Sequence, residues 1–472
     1  MKNITKIALG FILISVISLT SCKKWIDTDI NVDPNNPTDV PVSLLLPSIQ
    51  TEMAYTMMGN DAVRPTNMWL QYFNGASRQS LTQGRYVYKS SDVNNLWGAA
   101  YQSNLMDLKQ MIDKADANNS PHYAGVAKVL TAWDLAYMTD LFGDIPYSEA
   151  FQGDALLAPA YDTQEAIYTT VQSLLDAAIT DLAADESLES PGDEDMFYAG
   201  NLDSWTKLAW SLKARYALNL SGVNGSQAYT DALTYAANGF TSNADNMQFT
   251  FSSDAKSPLS QFMSQRGDIT MASTFIDMLH NDNDWRVSVF SSDSAAIGGE
   301  PGTNEEEDIA LPGNYVAADD ATVYLMTYHE LKFIEAESYF QLGDVANADT
   351  AYLEGAFASV YLTLTNYYED LYSEEGAKLN EDTIKTWTWY NNVNVVQASL
   401  DLETIMKQKY IANYGTVQSY NDWRRTGFPV LSAAANTTTD IPRRYPYPQD
   451  ELDYNSANVP SVTLSDNVWW NQ

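Results

Sequence analysis

Residue types that commonly carry catalysis are scarce in this sequence. Its three histidines are His122, His280 and His329, and His329-Glu330 opens the zinc-protease pattern His-Glu-x-x-His, but Phe333 stands where the second histidine belongs. Neither a G-x-S-x-G nucleophile elbow nor a G-x-x-x-x-G-K-[ST] phosphate loop occurs. The 61 acids place carboxylates side by side by chance, so such pairs indicate little. The sequence therefore predicts structural histidines, no metal or cofactor, and no enzyme.

Cys22 is the one remaining residue with a specific chemistry, and it is the only cysteine among 472 residues. Two lysines and the apolar run 7–17 precede it, an export-signal layout too short to span a membrane. Leu19-Thr20-Ser21-Cys22 is similar to a bacterial lipobox, whose cysteine thiol receives a diacylglyceryl group and becomes the mature N-terminus. The alternative is a simple secretory signal followed by a free thiol. We expect residues 1–21 to be a lipoprotein signal peptide and Cys22 to carry a stable lipid anchor.

Composition and charge restrict the partners. The formal charge is −35, and such a surface repels nucleic acid and anionic glycans at long range. Hydrophobic residues make up 45% and charged residues 18%, which is not the composition of a disordered chain. Most of the 12 tryptophans and 30 tyrosines are expected in the core, and a surplus of amphipathic rings suits a binding surface.

Residues 22–42 predict a lipid-anchored tether, because Pro34, Pro37 and Pro41 prevent a helix there. Oxygen-bearing side chains alternate in it like the opening of a calcium loop: Asp27, Asp29, Asn31 and Asp33. Val32 stands where the sharp-turn glycine belongs and Thr38 where the bidentate glutamate belongs. A solvated linker is the better interpretation.

The remaining residues, 43–472, predict a single body that is mainly helical. Helical periodicity covers 43–58, 96–114, 123–141, 164–182, 202–220, 322–342 and 401–414. Residues 59–92 mix aromatic and polar side chains without that period and predict a long loop region. Residues 240–320 predict a loop-rich insert with a few short strands.

A helix pair is predicted around Leu342-Gly343-Asp344. The glycine suits the left-handed position after a helix, and Asp344 can cap the next helix. That second helix places small residues and one ring at the spacing i, i+3, i+4 and i+7: Ala348, Ala351, Tyr352 and Gly355. This pattern is similar to one tetratricopeptide unit, which needs stacked neighbours for stability.

Four stretches together resemble the SusD/RagB family of outer-membrane nutrient-binding lipoproteins, and its second sequence class in particular. They are Ile30-Asn31-Val32-Asp33-Pro34-Asn35-Asn36-Pro37, Asp140-Leu141-Phe142-Gly143-Asp144-Ile145-Pro146-Tyr147-Ser148-Glu149-Ala150, Asp422-Trp423-Arg424-Arg425-Thr426-Gly427-Phe428-Pro429 and Ile441-Pro442-Arg443-Arg444-Tyr445-Pro446-Tyr447-Pro448. They span the chain from the tether to the C-terminal segment.

The resemblance implies about four tetratricopeptide-like helix pairs and a loop-rich second part, with no catalysis. It implies a lid on a TonB-dependent, SusC-like outer-membrane transporter, where the protein captures an oligomeric nutrient at the cell surface. We expect a stable complex with two copies of each protein. The family motifs themselves are interpreted as structural: Gly143-Asp144-Ile145-Pro146 ends a helix, and the arginines of Arg424-Arg425 and Arg443-Arg444 satisfy buried carboxylates or helix ends.

In related proteins the ligand face draws on loops that correspond to residues 64–92 and 240–320. Rings without a helical stripe can stack on a ligand, and arginines supply directed hydrogen bonds. The predicted ligand contacts are Trp69, Tyr72, Arg78, Arg85, Tyr86, Trp285 and Tyr315. Trp69 and Tyr72 lie three apart and could instead belong to the core. A neutral oligosaccharide is the expected ligand, a cationic peptide is the alternative, and a lipid-anchored glycan hydrolase is the enzymatic alternative.

Overall fold

A computed structural model of the chain describes residues 40–293, 295–367 and 400–471. Cys22, the signal peptide and the alternating oxygen-bearing side chains of the tether lie outside the described residues. The expectations about lipidation and calcium therefore stay predictions.

Helices dominate the described chain. The α-helices are α1 (Val42–Glu52), α2 (Val63–Trp69), α3 (Arg78–Gly84), α4 (Asn94–Gly98), α5 (Met106–Ala117), α6 (Pro121–Phe142), α7 (Gln164–Leu182), α8 (Leu202–Asn219), α9 (Ser221–Asn224), α10 (Ser226–Ala236), α11 (Pro258–Gln265), α12 (Ser273–Asn281), α13 (Val287–Phe290), α14 (Asn314–Ala317), α15 (Tyr328–Gln341), α16 (Val345–Tyr367), α17 (Leu402–Ala412), α18 (Gln418–Thr426) and α19 (Gln449–Tyr454). Two further segments are π-helical, Met53–Asp61 and Ala99–Leu105. Four described segments are 3₁₀-helical: Ser90–Val93, Gly153–Ala155, Asn243–Asp245 and Trp469–Asn471.

The long helices form a scaffold in which each packs on the next: α5 on α6, α6 on α7, α7 on α8, α8 on α10, α10 on α15, and α15 on both α16 and α17. The central helix α6 is buried at every residue from Tyr123 to Phe142 except Lys128, which pairs with Asp181 of α7. A helix that is apolar nearly all round must be covered on all sides. The predicted mainly α, tetratricopeptide-like scaffold is confirmed.

The turn between α15 and α16 follows the prediction closely. Gly343 adopts φ +84°, and the amide of Asp344 donates to the carbonyl of Tyr339 at 2.9 Å, which satisfies a free carbonyl at the end of α15. Asp344 then accepts a hydrogen bond from the amide of Asn347, which caps α16. Gly355 packs on the Phe333 ring, where a Cβ would lie 3.2 Å from the ring carbons. The small residues of α16 therefore permit close packing against α15.

Two short antiparallel sheets tie the insert to the rest. Strand β1 (Phe73–Gly75) pairs with β3 (Ile269–Met271), with Asn74 opposite Thr270. Strand β2 (Met247–Thr250) pairs with β4 (Thr322–Met326), with Phe249 opposite Val323. The insert thus contains short strands, as predicted, together with the short helices α11 to α14. The predicted helical stripe from Thr322 is wrong at its start, because residues 322–326 form β4.

The loop prediction for residues 59–92 is wrong. This segment contains α2, β1 and α3, and the end of the π-helical segment Met53–Asp61. Helix α2 is buried at every residue but Arg64. Neither face of the helix is exposed to solvent, so its sequence has no polar stripe. A short helix that is covered on all sides has no 3.6-residue pattern to detect.

Paired arginines hold the C-terminal segment onto the scaffold. Arg425 forms a two-pronged pair with Glu337 of α15 and also contacts Asp422. Arg424 donates to the carbonyl of Asp140 at 2.7 Å, and Arg444 donates to the carbonyl of Phe142, the last residue of α6. These contacts agree with the structural interpretation of the arginine motifs.

Asp140 is the centre of this buried polar network. Its carboxylate accepts hydrogen bonds from Tyr168, Asn219, Asn421 and Trp470. Burial raises the pKa of Asp140 to about 6, although the hydrogen bonds from Tyr168 and Trp470 and the nearby Arg424 oppose the shift. Gly143, the residue after α6, has φ +82° and ends the helix, as the motif predicts.

None of the helices in the described ranges combines the length and the apolar character that a bilayer crossing requires.

Candidate ligand-binding surface

Trp69 and Tyr72 are fully buried, each with 0% of its surface exposed. The Trp69 ring contacts the rings of Tyr88, Tyr420 and Tyr445 at centroid distances of 5.3, 5.7 and 5.2 Å, and its Nε1 donates to the carbonyl of Gln83. A ring that is surrounded in this way has no free face for a ligand.

Tyr72 stacks on Tyr410 at 4.1 Å, its hydroxyl donates to the Tyr410 carbonyl, and the Ser419 hydroxyl lies 2.8 Å from the Tyr72 hydroxyl oxygen. Tyr315, 3% exposed, shares this cluster, because both Tyr72 and Tyr315 contact the ring of Tyr414. The core therefore brings together two predicted ligand contacts that lie far apart in the sequence.

Tyr86 is 4% exposed, and its hydroxyl accepts a hydrogen bond from the amide of Ala434 at 2.8 Å. Burial raises the pKa of this phenol, which therefore stays neutral. In the described structure the predicted ligand stacking by Trp69, Tyr72, Tyr86 and Tyr315 is corrected to a packing role. Their rings are buried in the hydrophobic core, where they pack against other aromatic side chains.

Arg78 remains at the surface, with 62% of its side chain exposed. Its Nη1 lies 3.1 Å from Oδ1 of Asp268, and Arg266 forms a two-pronged pair with Oδ2 of the same carboxylate at 3.0 and 2.7 Å. Asp268 is fully buried, so it fixes two partly exposed guanidinium groups next to each other. This arginine pair joins the segment 64–92 to the insert.

The side chain of Arg85 is half-buried and binds the backbone of the insert. Its Nε donates to the carbonyl of Gly302 at 2.7 Å, while Asn74 exchanges hydrogen bonds with the amide of Gly302 and the carbonyl of Thr303. Gly302 has φ +83°, and a Cβ there would lie 2.2 Å from the carbonyl oxygen of Ala435. Three chain segments therefore converge at a glycine that no larger residue could replace without a shift of backbone.

Left-handed backbone is concentrated in this segment. Gln71, Arg78 and Tyr86 have φ values of +60°, +49° and +65°, a region that non-glycine residues seldom adopt. Each such residue costs about 1–3 kcal/mol and persists where the surroundings hold it, which is common at functional sites. The strained backbone favours segment 64–92 as part of a functional surface.

The sequence pattern does not single out Arg266 of the arginine pair or the rings of Phe262 and Tyr55. The Phe262 ring is half-buried, and the guanidinium carbons of Arg64 and Arg266 lie 4.2 Å and 5.6 Å from its centroid. Tyr55 is 36% exposed, and its hydroxyl donates to Oε1 of Gln261 on α11 at 3.4 Å. Nothing in the order of residues pairs α11 with the segment 64–92, so only the fold could identify them. The resulting surface offers guanidinium donors and partly exposed rings to a ligand. We define it by Tyr55, Phe262, Arg78 and Arg266. Ligand contacts of Arg78, Arg85 and the half-buried Trp285 stay predictions.

His329 and His122 have structural surroundings. Burial, with Arg286 nearby, lowers the pKa of His329 to about 3, so its ring is neutral. Nδ1 of His122 lies 2.7 Å from the Ser190 hydroxyl, and Nε2 lies 2.9 Å from the Ala184 carbonyl. Within residues 40–293, 295–367 and 400–471, no three His, Cys, Asp or Glu side chains are grouped so that they could hold a metal ion.

Solved structures that are similar to this one include SusD-like proteins. A SusD/RagB family protein from Bacteroides thetaiotaomicron VPI-5482 matches with a TM-score of 0.77 and 27% identity, over 92% of this chain and 99% of that one. A SusD homolog from Bacteroides fragilis NCTC 9343 matches with a TM-score of 0.76 and 25% identity, over 92% and 100%. A chitin-binding SusD homolog from Flavobacterium johnsoniae shares the fold, with a TM-score of 0.72 and 20% identity over 91% and 98%.

Comparison with the curated proteins finds no match. The family model SusD-like_2, described as starch-binding associating with outer membrane, matches residues 34–448. That range includes the scaffold, the insert and three of the four recognised motifs in full. The chain belongs to the SusD-like family.

Proposed function

We propose that this protein is a cell-surface lipoprotein that captures an oligosaccharide and delivers it to a TonB-dependent outer-membrane transporter. Family membership over residues 34–448 carries the proposal, because the family is described as starch-binding and outer-membrane-associated. The protein binds its ligand without changing it. A neutral glycan is the proposed class, since the formal charge of −35 disfavours anionic polymers.

The surface around Arg78, Arg266, Phe262 and Tyr55 supports a role in recognition. Guanidinium groups held by a buried carboxylate keep a fixed orientation, and their remaining N–H groups can donate to ligand hydroxyl or carbonyl oxygens. Partly exposed rings beside them add apolar contact area for the faces of a sugar. The same groups could bind peptide carbonyls, so a cationic peptide remains the alternative ligand.

Binding and hydrolysis are tested together with the purified mature protein in detergent. Starch, chitin oligosaccharides, a panel of other neutral glycans and a peptide digest are each titrated by calorimetry, and every mixture is analysed for shorter products. Binding of a glycan without shortening is the expected result. Saturable binding of peptides alone would favour the alternative ligand, and shortened glycan products would favour a hydrolase.

Display at the cell surface is tested through Cys22. Intact cells are treated with protease, and the protein should be degraded without lysis. The variant Cys22→Ser should lose the lipid and separate from the membrane, while a serine substitution elsewhere in the tether, Thr28→Ser, should not. A protein that is protected until lysis would overturn surface display.

The proposed location on the outer membrane implies a transporter partner, since a capture protein cannot move a nutrient through a membrane alone. A lipid anchor in the same leaflet gives the two proteins a high effective concentration. Gentle extraction followed by affinity purification should recover a TonB-dependent barrel in equal copy number, as two of each. Repeated recovery of this chain alone would count against the partner.

A further inference from the structure

Three segments that are distant from one another in sequence adjoin in the fold: residues 92–105, 143–163 and 447–471. The hydroxyl of Tyr161 donates to Glu451 at 2.8 Å, and Nδ2 of Asn455 donates to the carbonyl of Pro159 at 3.0 Å. Asn94 donates to Asp450 at 3.0 Å, which joins the first segment to the third. We call this surface the acidic face.

Large apolar side chains are exposed on the acidic face. Leu157 is 79% exposed and Tyr454 83% exposed, and Leu452 is 39% exposed on the same helix, α19. Hydrogen bonds link their neighbourhoods, because Asn458 donates to the carbonyl of Ala158 beside Leu157. A grouping of exposed apolar residues with a polar rim is typical of a protein interaction site.

Three rings on this face, those of Trp97, Tyr101 and Phe151, are arranged for support and not for sugar stacking. Trp97 stacks on Tyr101 at 4.6 Å, and Tyr101 stacks on Phe151 at 6.1 Å, so these rings cover one another's faces. Phe151 adopts φ +63°, a strained conformation that the stack holds in place. The rings therefore fix the shape of the loop that carries Leu157 while its aliphatic side chain remains exposed.

The charge of the acidic face selects its occupant. The three segments contain no lysine or arginine, but they contain nine acids: Asp92, Asp144, Glu149, Asp154, Asp162, Asp450, Glu451, Asp453 and Asp466. Anionic lipid surfaces and nucleic acid would be repelled, and so would a second copy of this chain, with its formal charge of −35. A protein surface with lysine or arginine side chains around an apolar centre is complementary.

We infer that the acidic face, through Leu157, Leu452 and Tyr454 and the surrounding carboxylates, docks a basic and apolar extracellular surface of the transporter. The inference rests on the proposed function for the existence of that partner. It adds a place on the molecule and a chemistry: apolar contact at the centre and cations of the partner at the rim. Ligand capture at the arginine pair uses different residues.

The experiment is an affinity purification from gently solubilised outer membranes, with the recovered barrel identified by mass spectrometry. One double variant removes the apolar centre, Leu157→Ser with Tyr454→Ser. A second reverses charge, Asp154→Lys with Asp453→Lys. The matched control removes two equally exposed apolar side chains elsewhere, Leu188→Ser with Val430→Ser, whose native residues are 73% and 76% exposed. Calorimetric glycan binding is measured for all of them.

The expected result is at least a fivefold loss of barrel with both acidic-face variants and none with the control, at unchanged glycan affinity. Barrel recovery by the unmodified protein should also fall in high salt. A smaller loss with either acidic-face variant, when the unmodified protein recovers the barrel, overturns the docking face alone. If the unmodified protein recovers no barrel, the proposed partner fails and the docking face with it.

Discussion

Two groups of arginines in this molecule show what the same side chain does in two surroundings. Arg425 has 4% of its side chain exposed and pairs with Glu337, whose side chain is fully buried. Arg78 has 62% of its side chain exposed, although its partner Asp268 is equally buried. The first guanidinium is committed to the fold, whereas the second keeps donors directed to solvent.

This difference teaches that burial, and not the sequence motif, separates a structural arginine from one available to a ligand. Removal of Arg425 would leave the Glu337 carboxylate without a cation in the interior, where charge is poorly solvated, while Asp422 would keep its pair with Lys409. Removal of Arg78 would leave Asp268 with Arg266, which still satisfies one of its oxygens. Substitutions should therefore have their largest effect on stability at the buried arginine and their smallest at the exposed one.

Arg425→Leu should lower the free energy of unfolding by about 3–5 kcal/mol, since it leaves Glu337 unpaired in the core. Denaturant unfolding monitored by circular dichroism is the measurement. The double variant Arg425→Met with Glu337→Met should recover part of the loss, because both charges are then absent. A single variant with native stability would show that this pair does not hold the C-terminal segment.

Trp69→Ala should also destabilise by about 3–5 kcal/mol, because a fully buried ring leaves a cavity among Tyr88, Tyr420 and Tyr445. Melting temperature and glycan affinity are measured on the same preparation. Affinity of the folded fraction should be nearly unchanged. A large loss of affinity at native stability would restore Trp69 as a ligand contact.

Asp140 should produce a pH dependence of stability. Its pKa is raised from 3.8 to about 6 in the folded protein, so folding binds a proton between these values. Stability from this group is fully present below pH 3.8 and is lost as the pH rises through 6, by about 2–3 kcal/mol.

The measurement for Asp140 is the free energy of unfolding from pH 4 to 7, compared between the native protein and Asp140→Asn. Because the other acids titrate in both proteins, the difference between the two profiles isolates this carboxyl group. Parallel profiles would show that Asp140 has an ordinary pKa in the folded state.

Arg78→Ala should have the smallest effect on stability, below about 1 kcal/mol, as is usual for an ion pair with an exposed partner. Glycan affinity should fall severalfold by calorimetry, since donors at the surface are lost. Lys109→Ala is the matched control, because Lys109 is an exposed, ion-paired cation on α5. Equal affinities for the two variants would remove Arg78 from the ligand surface.

The sequence by itself determined the helical scaffold. Helix α7 begins and ends where its apolar stripe does, at Gln164 and Leu182, and α8 begins at the predicted Leu202. The turn at Gly343 and the helix end at Gly143 also follow from local signals, because a left-handed residue after a helix favours glycine. Periodicity and capping act over a few residues, so the order of residues is sufficient to detect them.

Only the tertiary structure decided which aromatic and charged side chains remain accessible. Trp69 and Tyr72 lack a simple stripe because neighbours cover them on several sides, and those neighbours, such as Tyr410 and Tyr445, lie more than 300 residues away in the chain. Asp268 likewise joins Arg78 to Arg266 across a long sequence separation. Exposure is the sum of all packing contacts, and no local pattern contains that sum.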